Sequence, residues 1–140
     1  EQEAESAEKM TRTAGKVTGG IAMISLLVGS IGIMNIMLVS VSERTKEIGT
    51  RLCIGARKRD IMIQFLFEAI LMTSIGGMLG IATGAVLARV IASIVKIPAV
   101  FSLLAAVTGF VFSMIIGIVS GYYPAYKASR LDPIEALRNE

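Results

Sequence analysis

Residues 42–60 read SERTKEIGTRLCIGARKRD, the one long polar interval between two apolar runs of membrane length. The interval carries six cations: Arg44, Lys46, Arg51, Arg57, Lys58 and Arg59. A short loop between spans that is so rich in Lys and Arg is expected on the cytoplasmic side, where insertion retains such residues. Its interior is patterned. Ile48 and Leu52 lie four apart with Ile54 just beyond, while Arg44, Glu47 and Arg51 share a neighbouring helical face. Glu47 and Arg51 also stand in the favoured order for an i,i+4 ion pair. A loop that only reverses the chain has no use for an apolar stripe. The interval is therefore expected to form a short amphipathic helix lying across the membrane end and offering a surface to a cytoplasmic partner.

Composition agrees with a membrane protein. Of 140 residues, 54% are hydrophobic and only 18% charged, with a mean hydropathy of +0.69, against about a quarter charged in soluble domains. The charges gather in patches and leave long stretches empty of them, which predicts an all-α integral membrane protein with three transmembrane helices. The net charge of +3 is no argument for a nucleic-acid partner, because the excess cations flank membrane spans and the positive-inside rule accounts for them. With no His and a single Cys, Cys53, neither a disulfide framework nor a Cys/His metal site is available. The chain opens at Glu1, its first Met is Met10, and it lacks the pattern of a secretory leader, so a fragment or processed chain is expected.

Taken in order, residues 1–16 are polar with Glu5/Lys9 and Glu8/Arg12 spaced for helical ion pairs, which predicts a helical stalk running straight into the first span. Residues 17–41 are uncharged and long enough to cross about 30 Å of hydrocarbon. Ser25, Gly29 and Gly32 on this span are small enough to let another helix approach. Residues 61–88 form the second span, with Asp60 expected as its N-cap. Glu68 lies near its start, within reach of the basic cluster, and Gly76, Gly80, Gly84 and Ala88 are expected to form an unbroken packing groove. Residues 89–100 form a short loop with Arg89, Lys96 and Pro98. Residues 101–121 form the third span, in which Ala105, Gly109, Ser113, Gly117 and Gly121 recur every fourth position. Pro124 is expected to break or bend that helix. In the tail, residues 122–140, Asp132-Pro133-Ile134-Glu135 has the pattern of a helix start, with Asp132 as N-cap and Pro133 at the first helical position.

Six cations in the interval 42–60 and three in the tail (Lys127, Arg130, Arg138), against two in the loop 89–100, place the N-terminus outside and the C-terminus inside. No stretch has the phosphate-loop pattern, and the carboxylates sit at polar ends without converging. No catalytic residue and no bound cofactor are therefore expected on this chain. The spans also lack the interior charges of an ion or polar-solute pathway. A mechanical role is what these features leave: close-packed helices joining an external stem to a cytoplasmic amphipathic surface.

Two separated motifs carry a family resemblance. The string SVSERTKEIGTRLCIGARKRDIMIQFLFEA and, after two spans, GYYPAYKASRLDPIEALR resemble the permease of a MacB-type (FtsX-like) ABC transporter, from about Val17 onward. The resemblance implies a four-span permease in the bacterial cytoplasmic (inner) membrane, of which this chain holds the last three spans. The first span and a large extracytoplasmic domain would lie upstream, with residues 1–16 as the stalk beneath that domain. It further implies that the interval 42–60 is a coupling helix docking on an ABC ATPase subunit or domain, which would hold ATP and Mg. Glu47, Ile48, Gly49, Arg51, Gly55, Ala56 and Asp60 match the motif of that helix and, with Arg44 and Leu52 from the helical pattern, would form the contact. A second permease copy is implied as a homodimer partner, with room for a periplasmic or extracellular adaptor. The expected function is export of antibiotics, antimicrobial peptides or similar molecules by mechanotransmission. The alternatives are an FtsX-like signalling permease controlling cell-wall hydrolases, or a lipoprotein-releasing permease.

Overall fold

The computed structural model describes residues 2–98 and 101–138. The expectations for positions 1, 99, 100, 139 and 140 lie outside these residues. Among the described residues the fold is all-α, as the apolar periodicity predicts, with five helices: α1 Gln2–Glu43, α2 Thr45–Cys53, α3 Lys58–Val95, α4 Leu103–Ser129 and α5 Pro133–Arg138. Helices α1, α3 and α4 are each long and apolar enough to cross a membrane.

Helix α1 has 42 residues and so extends for roughly 60 Å, about twice the hydrocarbon thickness. Its polar first part is continuous with its apolar part. Glu3 and Glu5 lie in its first turn, where carboxylates favour the positive end of the helix dipole. Lys9 Nζ lies 3.0 Å from Glu5 Oε1. The expected Glu8–Arg12 pair does not form among the described residues.

The chain then makes two sharp turns. Arg44 separates α1 from α2. At the other end of α2, Gly55 adopts φ +97°, the Ala56 N–H donates to Arg51 O at 3.0 Å and the Gly55 N–H to Leu52 O at 3.2 Å. This is the Schellman arrangement, in which glycine alone meets no Cβ penalty. Helix α3 starts at Lys58 with Arg57 as its N-cap. Asp60 is therefore not the N-cap, contrary to expectation. It lies in the first turn, where its charge still suits the dipole.

Helix α3 runs without interruption past Ala88 to Val95, so the loop expected from position 89 is much shorter. It ends on Lys96 in the left-handed conformation, φ 59°, with the Ile97 N–H donating to Ala92 O at 3.1 Å. Helix α4 begins after Ser102, whose Oγ accepts from the Ala105 N–H at 3.3 Å. It then passes straight through Pro124 to Ser129. The expected break at Pro124 does not occur. The ring is buried, and membrane helices tolerate the lost backbone bond where neighbouring helices and hydroxyl groups compensate. Asp132 caps α5 as expected, its Oδ1 accepting from the Ile134 N–H at 2.9 Å.

Helices α3 and α4 pack antiparallel along a ladder of small residues. A side chain built on Gly121 would strike Ala69, and one on Gly117 would strike Thr73. One on Gly77 would lie 3.0 Å from Ser113 Oγ. Each rung advances four residues along α3 and retreats four along α4. Ser113 Oγ also donates to Thr73 O at 3.1 Å. Packing is thus tightest toward the α2 end and loosens away from it. Gly76, Gly80, Gly84 and Gly109 meet open space, so the expected groove along Gly76, Gly80 and Gly84 is not the α3–α4 contact. The contact surface of α3 runs instead through Ile61, Phe65, Ala69, Thr73 and Gly77, one helical row away.

Candidate functional site

The core sits where α2 folds back against the feet of the long helices. Ile48 enters a cluster with Met37 and Val41 of α1, Ile61, Phe65 and Ala69 of α3, and Ala125 and Ala128 of α4. It is only 3% exposed, and Leu52 packs partly buried against the same cluster. Ile48 and Leu52 of the apolar stripe are therefore turned inward, a correction to the expectation that they face a partner, while Ile54 stays exposed. The reason is physical. A nine-residue helix is too short to be stable alone, and burying one aliphatic side chain contributes about 1.5–3 kcal/mol. The nearest apolar surface belongs to its own chain.

Polar groups clasp the same helix from its side. Arg51 Nη2 lies 2.6 Å from Glu47 Oε1, the pair expected from the spacing. Arg51 Nη1 donates to Gln64 Oε1 at 2.7 Å. Arg44 Nη1 lies 3.6 Å from Glu68 Oε2, so Glu68 faces a cation at the end of the span. Arg51 thus ties α2 to the first turns of α3, and Arg44 ties the turn between α1 and α2 to the same helix. These pairs are solvent-accessible and add little stability individually, about 0–1 kcal/mol each. What they fix is orientation.

The third side of α2 is covered by α5. Gly49 is buried, and a Cβ built on it would lie 2.7 Å from Ala136 Cβ and 3.6 Å from Pro133 O. Sequence reasoning missed this contact. Small residues at positions 49 and 136 are the only trace of it, and nothing in the spacing pairs them.

Of the nine residues expected to meet a partner, then, Ile48, Gly49 and Leu52 are occupied by the chain's own packing. Arg44, Glu47 and Arg51 form the clasp while staying solvent-accessible. Gly55 and Ala56 make the turn, and Asp60 is exposed at the start of α3. The outward surface consists of Lys46, Thr50, Cys53, Ile54, Arg57, Lys58 and Arg59, all exposed. Ile54 is the most prominent of them at 81% exposure.

The residues expected to pack helices divide in the same manner. Ser113, Gly117 and Gly121 do so within the chain. Ser25, Gly29 and Gly76 line a cleft of about 350 Å³ between α1, α3 and α4, with Thr73 and Gly77. Gly32, Gly80, Gly84 and Gly109 face outward.

A helical membrane protein with three spanning helices, locked at one end by a short clasped helix, is the class that fold and site define. The chain belongs to the FtsX-like permease C-terminal family, whose model matches residues 19–133. It is 55% identical over 130 residues to the macrolide export ATP-binding/permease protein MacB of Bdellovibrio bacteriovorus, covering 93% of this chain and 20% of that protein. It is 50% identical over 132 residues to the uncharacterized ABC transporter permease YknZ of Bacillus subtilis, covering 94% of this chain and 33% of that protein. Against the probable syringafactin export ATP-binding/permease protein SyfD of Pseudomonas syringae pv. syringae, identity is 49% over 137 residues, covering 97% and 21% respectively. The chain thus spans between a fifth and a third of the length of these relatives.

Proposed function

We propose that this chain is the membrane-spanning, force-transmitting part of an ABC-type efflux permease. In this reading α2 lies in the cytoplasm, α1 begins outside the bacterial cytoplasmic membrane, and the C-terminus is inside. An ATP-binding partner, fused or separate, holds ATP and Mg and meets the outward side of α2. Its movement passes through the base of the bundle to the projecting end of α1 and to an extracytoplasmic domain above it. Two permease copies work as a pair, and the cargo is an antibiotic, an antimicrobial peptide or a similar amphipathic molecule. Two of the three relatives, MacB of Bdellovibrio bacteriovorus and SyfD of Pseudomonas syringae, carry names that combine export with ATP binding, which favours this reading over signalling or lipoprotein release.

The observation that carries it is the burial of Ile48 among residues of α1, α3 and α4 at once. A push on α2 cannot be absorbed locally, because α2 shares one core with all three spans.

The test uses the full-length permease with its ATP-binding subunit or domain in lipid nanodiscs. Spin labels at positions 10 and 88 report the separation of α1 and α3 at the end away from α2. That distance is expected to change on addition of ATP, Mg and vanadate in the native protein. It is expected to stay fixed in Arg51→Ala/Gln64→Ala, with ATP hydrolysis retained. An unchanged distance in the native protein contradicts the reading.

A further inference from the structure

The outward side of α2 does not stand alone. Helix α5 lies directly on α2 through Gly49, Ala136 and Pro133, and it is fixed in place by the Asp132 cap and by the continuation of α4 through Pro124. While Ala136 is buried, Ile134 is 76% exposed and Leu137 is 44% exposed. We infer that α2 and α5 form one composite docking surface for the ATP-binding partner, with Ile54 and Ile134 as its apolar anchors. This rests on the reading that α2 meets that partner.

Three observations support that occupant. Ile54 at the end of α2, and Ile134 with Leu137 on α5, lie outside the apolar stretches of the long helices and remain exposed, so both short helices present apolar side chains to a partner. Lys46, Arg57, Lys58 and Arg59 surround the α2 side and make no ion pair among the described residues. The surface therefore complements an apolar cleft with an acidic rim, which a folded domain can offer at fixed spacing. Finally, the platform is continuous with the core. Ala125 and Ala128 of α4 pack in the same cluster as Ile48, and α5 follows α4 after three residues, so loads on α2 and on α5 enter one shared core. A partner gripping both helices would move all three spans together.

The inference is tested on the full-length permease in native membranes with its ATP-binding subunit or domain. A photoreactive benzoylphenylalanine is placed in turn at positions 54, 134 and 86, the last on the outer face of α3 as a control. Adducts are mapped by peptide mass spectrometry. Adducts to the ATP-binding polypeptide are expected from 54 and 134 and not from 86, and Ile134→Asp is expected to reduce the adduct from 54 to the control level. An adduct from 54 with none from 134 removes the composite surface and leaves the proposed function standing. Adducts from neither position remove both. An adduct from 134 to phospholipid alone assigns α5 to the membrane surface and overturns the inference.

Discussion

Gly49 of α2 and Ala136 of α5 touch so closely that a methyl group on the glycine would lie 2.7 Å from the alanine Cβ. The two motifs that stand at opposite ends of the sequence are thereby one object in space. The contact joins the helix between the first two spans to the helix after the last.

This closeness makes a reciprocal prediction. Gly49→Ala should lower stability by about 1–3 kcal/mol through overpacking, and Ala136→Gly in the same chain should restore part of the loss. Thermal unfolding of the two single variants and the double variant in detergent, read as a double-mutant cycle, checks it. Additive losses would mean that the residues are not in contact.

The α3–α4 ladder makes another. Gly117→Leu and Gly121→Leu should loosen the bundle, because Thr73 and Ala69 occupy the space required. Gly80→Leu and Gly109→Leu should leave this chain's own packing intact. Disulfide trapping between cysteines introduced at 77 and 113 measures the difference: efficient in the second pair of variants and reduced in the first.

At the base, apolar and ionic contributions should differ in size. Ile48→Ala is expected to cost about 2–5 kcal/mol, the range for emptying a buried aliphatic site. Arg44→Ala or Glu68→Ala should cost less than about 1 kcal/mol, since the pair is accessible and its atoms are 3.6 Å apart. Chemical unfolding curves of the three variants rank them. An Ile48 variant as stable as the native chain would mean that α2 is not held by its apolar side.

Much of this architecture is legible in the sequence, and the failures have physical causes. Uncharged runs of membrane length reveal the three long helices, and the spacing of Glu47 and Arg51 reveals an ion pair that forms. Periodicity shows that α2 has an apolar side but not which neighbour covers it. Ile48 and Leu52 would suit a partner's groove and the chain's own core equally well. Likewise, Gly76 and Gly77 are adjacent in sequence, and a rotation of one residue decides which faces α4. Pro124 misleads because a membrane helix can carry proline where a soluble helix would end. The Gly49–Ala136 contact has no local signature, since it is made by two small residues that only the return of α4 brings together.

Cys53 offers the most direct measurement, because it is exposed on α2 beside Ile54. With Cys53 as the sole cysteine of the full-length permease, labelling by a membrane-impermeant maleimide is compared in inside-out and right-side-out vesicles, with and without the ATP-binding partner. Labelling is expected only in inside-out vesicles, and it should be blocked when the partner is bound. Labelling of right-side-out vesicles, or labelling indifferent to a bound partner, would contradict the assignment of α2 as the helix that the partner moves.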